Sequence, residues 1–276
     1  MVRMLLLCLA LLAAGPALAL KPSPTWWAKP DTLGLNYQQL ELTTPDHVKL
    51  VAWLIEPAAT APGQHTTVVV AGGDAYNMSG SIYTAWALAQ AGYRSLLFDY
   101  CGFGHSQAFA IDQQRLYYEE FTTDTRTALA EARRRAPHDR VGILAMSMGG
   151  IMGTETASSV SCDFLITDGY PGNLPGIVAY QKATNNKTVT LPAEAAAYPR
   201  VAARINCPWL LIAGTQDKKV PLADSAAVVR TARPRQHRQL LAVDCDHLGA
   251  QEKLTEKDFA EGYVHAISRF LAGGKA

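Results

Sequence analysis

Short apolar runs alternate along the chain with longer segments that mix hydrophobic and charged residues. Residues 67–71, 141–146 and 209–213 are rich in aliphatic and β-branched side chains, as is typical of strands buried on both faces. The segment Glu119–Arg135, rich in Ala, Glu and Arg, has the composition of a helix. Alternation of this kind predicts an α/β fold, a mostly parallel sheet of about eight strands with helices on both faces.

The remaining elements follow from the same pattern. The first two predicted strands are joined by a Thr-Pro-Asp-His turn, which favours an antiparallel hairpin at the start of the sheet. The sequence has neither an internal repeat nor a low-complexity linker, and one long insertion, 170–206, separates two predicted strands. The other predicted strands are 37–43, 48–56, 94–100, 164–167 and 238–243, and the other predicted helices are 81–91, 149–159, 224–233 and 256–271.

The first residues resemble an export signal rather than part of the fold. Arg3 precedes an apolar run over 5–14, and Ala17-Leu18-Ala19 has the small-x-small pattern that signal peptidases cleave. We therefore predict a signal peptide over 1–19 and a periplasmic or secreted mature protein, 20–276, that folds as a single domain. The apolar run is short for a bilayer span, so no stable membrane span is expected after cleavage, although an uncleaved N-terminal anchor is the alternative.

Composition narrows the function classes. The chain of 276 residues is 49% hydrophobic and 18% charged, with a formal net charge of +1. A nucleic-acid partner is not expected, because nucleic-acid binding usually leaves a basic imprint. The four cysteines after the predicted signal peptide show no C-x-x-C pair and no zinc-site spacing, so no metal is predicted.

Ser147 is the leading candidate for a nucleophile. It follows the predicted strand 141–146 and precedes a predicted helix, in the sequence Ala145-Met146-Ser147-Met148-Gly149. A sharp strand-to-helix turn of this kind holds a serine hydroxyl clear of the sheet and needs small neighbouring residues. The alternative is a serine that merely caps the helix, next to a glycine required by packing.

A serine nucleophile needs a base and an orienting carboxylate, which follow it in the chain order Ser, acid, His on this kind of sheet. Asp217 lies just after the strand 209–213, and His247 lies just after the strand 238–243. Both therefore stand at carboxyl ends of strands, where ligands bind in open α/β sheets. Asp168, at the end of the preceding strand, is the alternative acid.

Amide donors for an oxyanion complete the predicted site. One is the backbone N–H of Met148, the residue after the nucleophile. The second is expected from the glycine loop after the strand 67–71, with Gly73 as the first candidate and Asp74 as the next.

Together these motifs resemble the α/β-hydrolase superfamily. The match rests on the Ala-Gly-Gly loop, Asp99-Tyr100 with the Gly-Phe-Gly-His-Ser that follows Cys101, the serine turn, Gly-Thr-Gln-Asp ending at Asp217, and Asp-His ending at His247. The Thr-Pro-Asp-His hairpin and residues 116–124 resemble the BEM46-like and serine-aminopeptidase-like branch. This sequence departs from the family pattern at Ala71, Cys101 and Ala145.

The resemblance implies the α/β-hydrolase fold, a serine hydrolase mechanism and no cofactor. The expected substrate is a small-molecule carboxylic ester, with an amide or peptide as the less favoured class. Residues 170–206 would form a small cap. A non-catalytic binding protein and an acyltransferase with the same three residues are the competing functions. In the resembling fold the strands near Phe164 and Trp209 are neighbours, which implies that Cys162 and Cys207 could form a disulfide; four free thiols are the alternative.

Overall fold

The computed structural model describes residues 19–276, and its centre is an eight-stranded sheet. The spatial order of the strands is β8-β7-β6-β5-β3-β4-β2-β1. β1 pairs antiparallel with β2 and β2 antiparallel with β4, whereas every other pair is parallel. The strands are β1 Tyr37–Thr43, β2 Lys49–Ile55, β3 Thr66–Ala71, β4 Arg94–Phe98, β5 Arg140–Met146, β6 Leu165–Asp168, β7 Trp209–Gly214 and β8 Arg238–Val243.

Helices cover the sheet on both faces. Phe121, Leu129 and Ile151 belong to a buried apolar cluster on one face, contributed by α2 and α3. Ile82 and Ile267, from α1 and α8, belong to the cluster on the other face. Because both faces are covered, β3 is buried along its whole length. The helices are α1 Ile82–Gln90, α2 Glu119–Arg135, α3 Gly149–Ser159, α4 Leu174–Asn185, α5 Val201–Arg204, α6 Leu222–Arg230, α7 Ala250–Lys253 and α8 Glu261–Leu271.

The predicted α/β-hydrolase fold class is confirmed, and most element bounds agree within two residues. The prediction that the last helix begins at residue 256 was wrong, because a turn occupies 255–260 and α8 begins at Glu261. The carboxylate of Glu261 accepts the amides of Lys257 and Asp258, which holds this turn in place.

The insertion between β6 and β7 contains α4, a 3₁₀ helix over Ala193–Arg200 and α5. Asn173 caps α4 by accepting the amide of Gly176 at 3.0 Å, and Asn186 ends it in the left-handed conformation. Thr190 donates its amide to the carbonyl of Gln114 at 2.8 Å, which ties the insertion to the loop before α2.

The predicted signal peptide lies outside the described residues, except for its last position, Ala19. The segment that follows packs against the loop after β3. Leu20 is completely buried, and Lys21–Pro22 pairs in parallel with Ala75–Tyr76 as a separate two-stranded sheet. None of the helices described for residues 19–276 combines the length and the apolar character needed to traverse a bilayer.

Candidate active site

Ser147 occupies the sharp turn between β5 and α3. Its backbone has a positive φ of 51°, which is uncommon for a residue with a side chain and holds the hydroxyl away from the strand. The Ser147 amide donates to the carbonyl of Asp168 at 2.9 Å, and its carbonyl accepts the amide of Gly150 at 2.8 Å. The turn is thereby fixed on both sides, by β6 and by the first turn of α3.

Ala145, which departs from the glycine usual in the resembling family, is accommodated by a glycine opposite. A Cβ on Gly153 of α3 would stand 2.7 Å from the Cβ of Ala145, too close for two side chains. The single methyl group therefore fits between β5 and α3 because Gly153 has none. The pair keeps the close strand-to-helix approach that the serine turn requires.

The structure brings Ser147, His247 and Asp217 together in one hydrogen-bonded chain. Ser147 Oγ lies 2.8 Å from His247 Nε2, and His247 Nδ1 lies 2.7 Å from Asp217 Oδ2. With Nδ1 protonated and donating to the carboxylate, Nε2 accepts the serine proton; this tautomer is assigned from the hydrogen-bond partners. Such an arrangement can deprotonate the hydroxyl as it attacks an electrophile.

Asp217 is anchored as well as buried. Its Oδ1 accepts the backbone amides of Lys219 at 2.9 Å and Val220 at 2.8 Å, which leaves Oδ2 for His247. The residue is only 5% exposed, so water does not compete for the carboxylate. The two amide donors hold the carboxylate in the orientation in which its second oxygen accepts the imidazole N–H and so orients the histidine.

Asp168, the alternative acid, occupies a different position. It ends β6, and its backbone carbonyl, not its side chain, contacts the serine turn. Its side chain is buried, and burial together with the nearby charge of Asp217 raises the pKa of Asp168 to about 7. The histidine Nδ1 is hydrogen-bonded to Asp217. The structure therefore places Asp217, the first candidate acid, beside the histidine.

The two predicted oxyanion donors lie on either side of the serine. A Cβ on Gly73 would stand 3.7 Å from Ser147 Cβ, and Met148 follows the serine directly. Within residues 19–276, neither the Gly73 nor the Met148 amide donates a hydrogen bond to the protein. Met148 is 2% exposed and Gly73 is half-buried, so two unpaired amides beside Ser147 can donate to a substrate oxygen.

The loop that carries Gly73 is held from three directions. Tyr100 Oη donates to the carbonyl of Gly72 at 3.3 Å, and the amide of Lys21 donates to the carbonyl of Asp74 at 2.7 Å. The third contact is an ion pair between Asp74 Oδ2 and Lys219 Nζ at 3.3 Å. The sequence indicated Gly73 and Asp74 as sources of an oxyanion donor, but it did not indicate these three contacts.

A buried carboxylate, which entered the sequence analysis only as part of the Asp99-Tyr100 motif, fixes the chain around this loop. Asp99 is completely buried and accepts the amide of Met78 at 2.7 Å, Nε1 of Trp26 at 2.8 Å and the amide of His105 at 3.0 Å. Burial raises the pKa of Asp99 above its ordinary value, while these donors oppose the shift. The signal in the sequence was its place at the end of β4, before a glycine-rich loop.

Three cavities surround the site. A narrow one of about 10 Å³ opens directly on Ser147 and Met148. A larger one of about 210 Å³ lies on the other side of the Gly73 loop, between Tyr76, Met146 and Leu248. An open polar depression of about 410 Å³ is lined by Tyr180, Gln216, Asp217, Asp246 and His247. Within the described part of the chain, no group of three or more His, Cys, Asp or Glu residues is arranged to hold a metal ion.

Cys162 and Cys207 are both free thiols in the structure, as are Cys101 and Cys245. The suggested disulfide is therefore absent, but the two side chains adjoin. The interaction with Cys207, together with burial, raises the pKa of the Cys162 thiol, and Cys162 Sγ donates to the carbonyl of Phe164 at 2.9 Å.

Comparison with known protein families gives a match over part of the chain. The family model for serine aminopeptidases of the S33 type matches residues 63–164, a stretch that contains β3 to β5 and the serine turn. No curated protein matches the chain significantly.

Solved structures match over most of the chain. An esterase from Pyrococcus furiosus is 20% identical with a TM-score of 0.73, covering 95% of this chain and 100% of its own. A serine hydrolase without a lid from Xanthomonas campestris is 20% identical with a TM-score of 0.56, covering 77% of this chain and 86% of its own. The acylaminoacyl peptidase of Pyrococcus horikoshii is 15% identical with a TM-score of 0.61, covering 85% of this chain and 42% of its own. The sheet, the serine turn and these structural matches together show that the chain has the α/β-hydrolase fold, and residues 63–164 are similar to the S33 serine aminopeptidases.

Proposed function

We propose that the protein is a serine hydrolase that cleaves carboxylic esters through an acyl-enzyme on Ser147. The observation that carries this proposal is the chain of hydrogen bonds from Ser147 Oγ to His247 and on to Asp217, at 2.8 Å and 2.7 Å. The esterase among the structural relatives supports an ester over an amide substrate, since it covers the chain almost completely.

The chemistry follows from the placement of these groups. Ser147 Oγ attacks the ester carbonyl carbon while His247 Nε2 accepts the hydroxyl proton, and the carbonyl oxygen gains negative charge between the amides of Gly73 and Met148. Asp217 stabilises the imidazolium. His247 then donates its proton to the leaving alkoxide, which departs as an alcohol. A water molecule, deprotonated by the same histidine, hydrolyses the acyl-enzyme and restores the serine.

Covalent labelling with a fluorophosphonate tests the proposal directly. Wild-type protein should gain one phosphonyl group, and Ser147→Ala should gain none. Ser159→Ala is the matched control, because Ser159 is exposed at the end of α3 and its hydroxyl bonds only to backbone carbonyls. A wild-type protein that remains unlabelled would be the non-catalytic binding protein considered as the competing function.

Substrate panels then separate the remaining classes. Hydrolysis of aryl esters without hydrolysis of aminoacyl anilides identifies an esterase, and the reverse identifies a peptidase. Faster release of the aryl alcohol on addition of an alcohol acceptor, with formation of the new ester, would identify an acyltransferase that uses the same three residues.

We also propose that the protein is exported, to the periplasm or outside the cell. The proposal rests on the pattern over residues 1–19 and on the way the chain continues, since the amides of Ala19 and Leu20 both reach the carbonyl of Gln113, at 2.7 Å and 3.0 Å. A chain cut after Ala19 would keep the contact between Leu20 and Gln113. Intact-mass measurement of protein from the periplasm or the medium should give a chain that begins at Leu20; a full-length chain in the membrane fraction would show an uncleaved anchor instead.

A further inference from the structure

One charged pair spans the entrance to the serine. Asp74 lies in the loop after β3, next to Gly73, and Lys219 lies in the loop after β7, two residues beyond Asp217. Lys219 Nζ stands 3.3 Å from Asp74 Oδ2. The loop that carries an oxyanion donor and the loop that carries the acid are thus joined across the site.

The cavity beneath this pair is almost closed. Ser147 lies in its lining, and its volume is about 10 Å³. A single water molecule needs roughly 10–15 Å³ of such space, so even the smallest acyl group requires the cavity to widen. The remaining walls, apart from Asp74 and Lys219, are mainly apolar: Leu116, Met148, Ile151, Pro171, Ile177 and Val220.

The ion pair is the wall that can move most easily. Met148, Ile151 and Val220 are at most 2% exposed and belong to the main core, where displacement would disturb close packing. The side chains of Lys219 and Asp74 are 21% and 28% exposed, so each can turn outward and be solvated. Separating a partly exposed ion pair costs little, because water replaces much of the lost attraction.

The attachment of Lys219 confines this movement to its side chain. Its backbone amide donates to Asp217 Oδ1 at 2.9 Å, which keeps the acid loop in place whichever way the ammonium group points. Opening of the ion pair therefore need not disturb Asp217 or, through it, His247. The pair can control access without dismantling the catalytic groups.

We propose that the Asp74–Lys219 ion pair closes the outer end of the acyl pocket of Ser147 and so restricts the protein to short acyl groups. This inference rests on the proposed function. A short acyl chain needs only a small widening beneath the closed pair. A long acyl chain needs the pair to separate, so it loses the attraction between the two charges that a short chain leaves intact.

Phosphonate probes whose alkyl group replaces the acyl chain test the inference on the intact protein. The quantity measured is the rate of labelling of Ser147 by an octyl probe divided by the rate for an ethyl probe. Wild type should prefer the ethyl probe. Lys219→Met and Asp74→Asn should each raise the ratio about fivefold, the factor expected when a partly exposed ion pair is lost.

Two controls keep the pair and should keep the wild-type ratio. Lys219→Arg retains the positive charge, and Lys218→Met removes the exposed neighbouring lysine. A second measurement weakens the ion pair with salt: about 1 M NaCl, where the screening length is about 3 Å, should raise the ratio for wild type more than for Lys219→Met. The difference between the two proteins isolates the ion pair from general salt effects.

The outcomes are distinguishable. Equal ratios in wild type, Lys219→Met and Asp74→Asn, or a wild-type protein that reacts fastest with the octyl probe, would overturn the inference while leaving the serine hydrolase intact. If no probe labels Ser147 in wild type, the proposed function fails and this inference fails with it.

Discussion

The ring of His247 packs against the one face of Gly169 that a side chain would fill. A Cβ at Gly169 would stand 3.0 Å from His247 Cε1 and 3.3 Å from Nδ1, and the backbone there has a positive φ of 65°. Gly169 directly follows β6 and donates its amide to the carbonyl of Ile212 on β7, so it cannot easily move away. The orientation of the histidine therefore depends on a glycine that takes no part in the chemistry.

Gly169→Ala should lower the ester kcat/KM by roughly tenfold, because the histidine ring must move by a few tenths of an ångström and a misplacement of about 1 Å costs about 100-fold. Gly34→Ala is the matched control: its φ is 69° and no atom lies within 4 Å of the position of a Cβ. Both variants carry the same kind of backbone cost, but the control should keep wild-type activity. Activity of Gly169→Ala within threefold of wild type would contradict the packing argument.

Substitution of the two candidate acids should have very different effects on the hydrolytic activity. Asp217→Asn should reduce kcat by about 10⁴, because the amide that replaces the carboxylate favours the wrong histidine tautomer. Asp168→Asn should keep kcat close to wild type, since the Asp168 side chain is not the group bonded to His247 Nδ1. Steady-state hydrolysis of an aryl acetate measures both variants. The opposite order of effects would assign the acid to Asp168.

Stability should depend on pH through Asp168. Its pKa is raised to about 7 in the folded protein by burial, against about 3.9 for an unfolded chain. Between these values the folded protein holds a proton that the unfolded chain has lost. The contribution of Asp168 to the free energy of unfolding is therefore full below about pH 4 and declines as the pH rises to about 7, by a total on the order of a few kcal/mol.

Asp168→Asn removes this dependence, so its Tm relative to wild type should be higher at pH 8 than at pH 5. Asp124, whose pKa burial also raises to about 7, remains in both proteins and cancels in the comparison. Asp258→Asn, at an exposed position, serves as the control and should show the same Tm difference from wild type at both pH values. An equal Tm difference at both pH values for Asp168→Asn would show that the buried carboxyl is ionised throughout.

Oxidation should join Cys162 to Cys207. The two thiols adjoin at the starts of β6 and β7, where Leu165 pairs with Trp209. Non-reducing peptide mapping after mild oxidation should find this bridge, with Cys101 and Cys245 still reduced. A disulfide that closes a loop of intermediate length stabilises a protein by about 3–5 kcal/mol, so oxidation should raise the denaturation midpoint. The Cys207→Ser variant should show no such increase. Scrambled pairings or no gain in stability would contradict the prediction.

The sequence predicted those parts of the fold that local pattern determines. The bounds of α2, α3 and β8 agree with the prediction because each has a clear composition and a clear end. The meeting of Ser147, Asp217 and His247 was predictable for a different reason: each follows a parallel strand, and the carboxyl ends of such strands lie at one edge of the sheet.

Contacts between distant segments were not predictable in the same way. Asp74 and Lys219 are 145 positions apart, and Trp26 and Asp99 are 73 apart, so no local spacing connects them. The sequence predicts helix over the turn at 255–260 because its polar residues fit either structure. The carboxylate of Glu261 favours the turn there, because it accepts hydrogen bonds from two amides of the preceding residues.

Because Lys21–Pro22 pairs with Ala75–Tyr76, the integrity of the eight-stranded sheet and the placement of the Gly73 loop depend on different parts of the chain. The eight-stranded sheet contains none of residues 19–27, whereas the loop with Gly73 is supported by them. A protein trimmed by a few residues after Ala19 would keep its eight-stranded sheet, yet lose the contact that fixes the placement of a predicted oxyanion donor. For this protein, an intact segment over residues 20–27 is therefore a better indicator of an active preparation than the Tm.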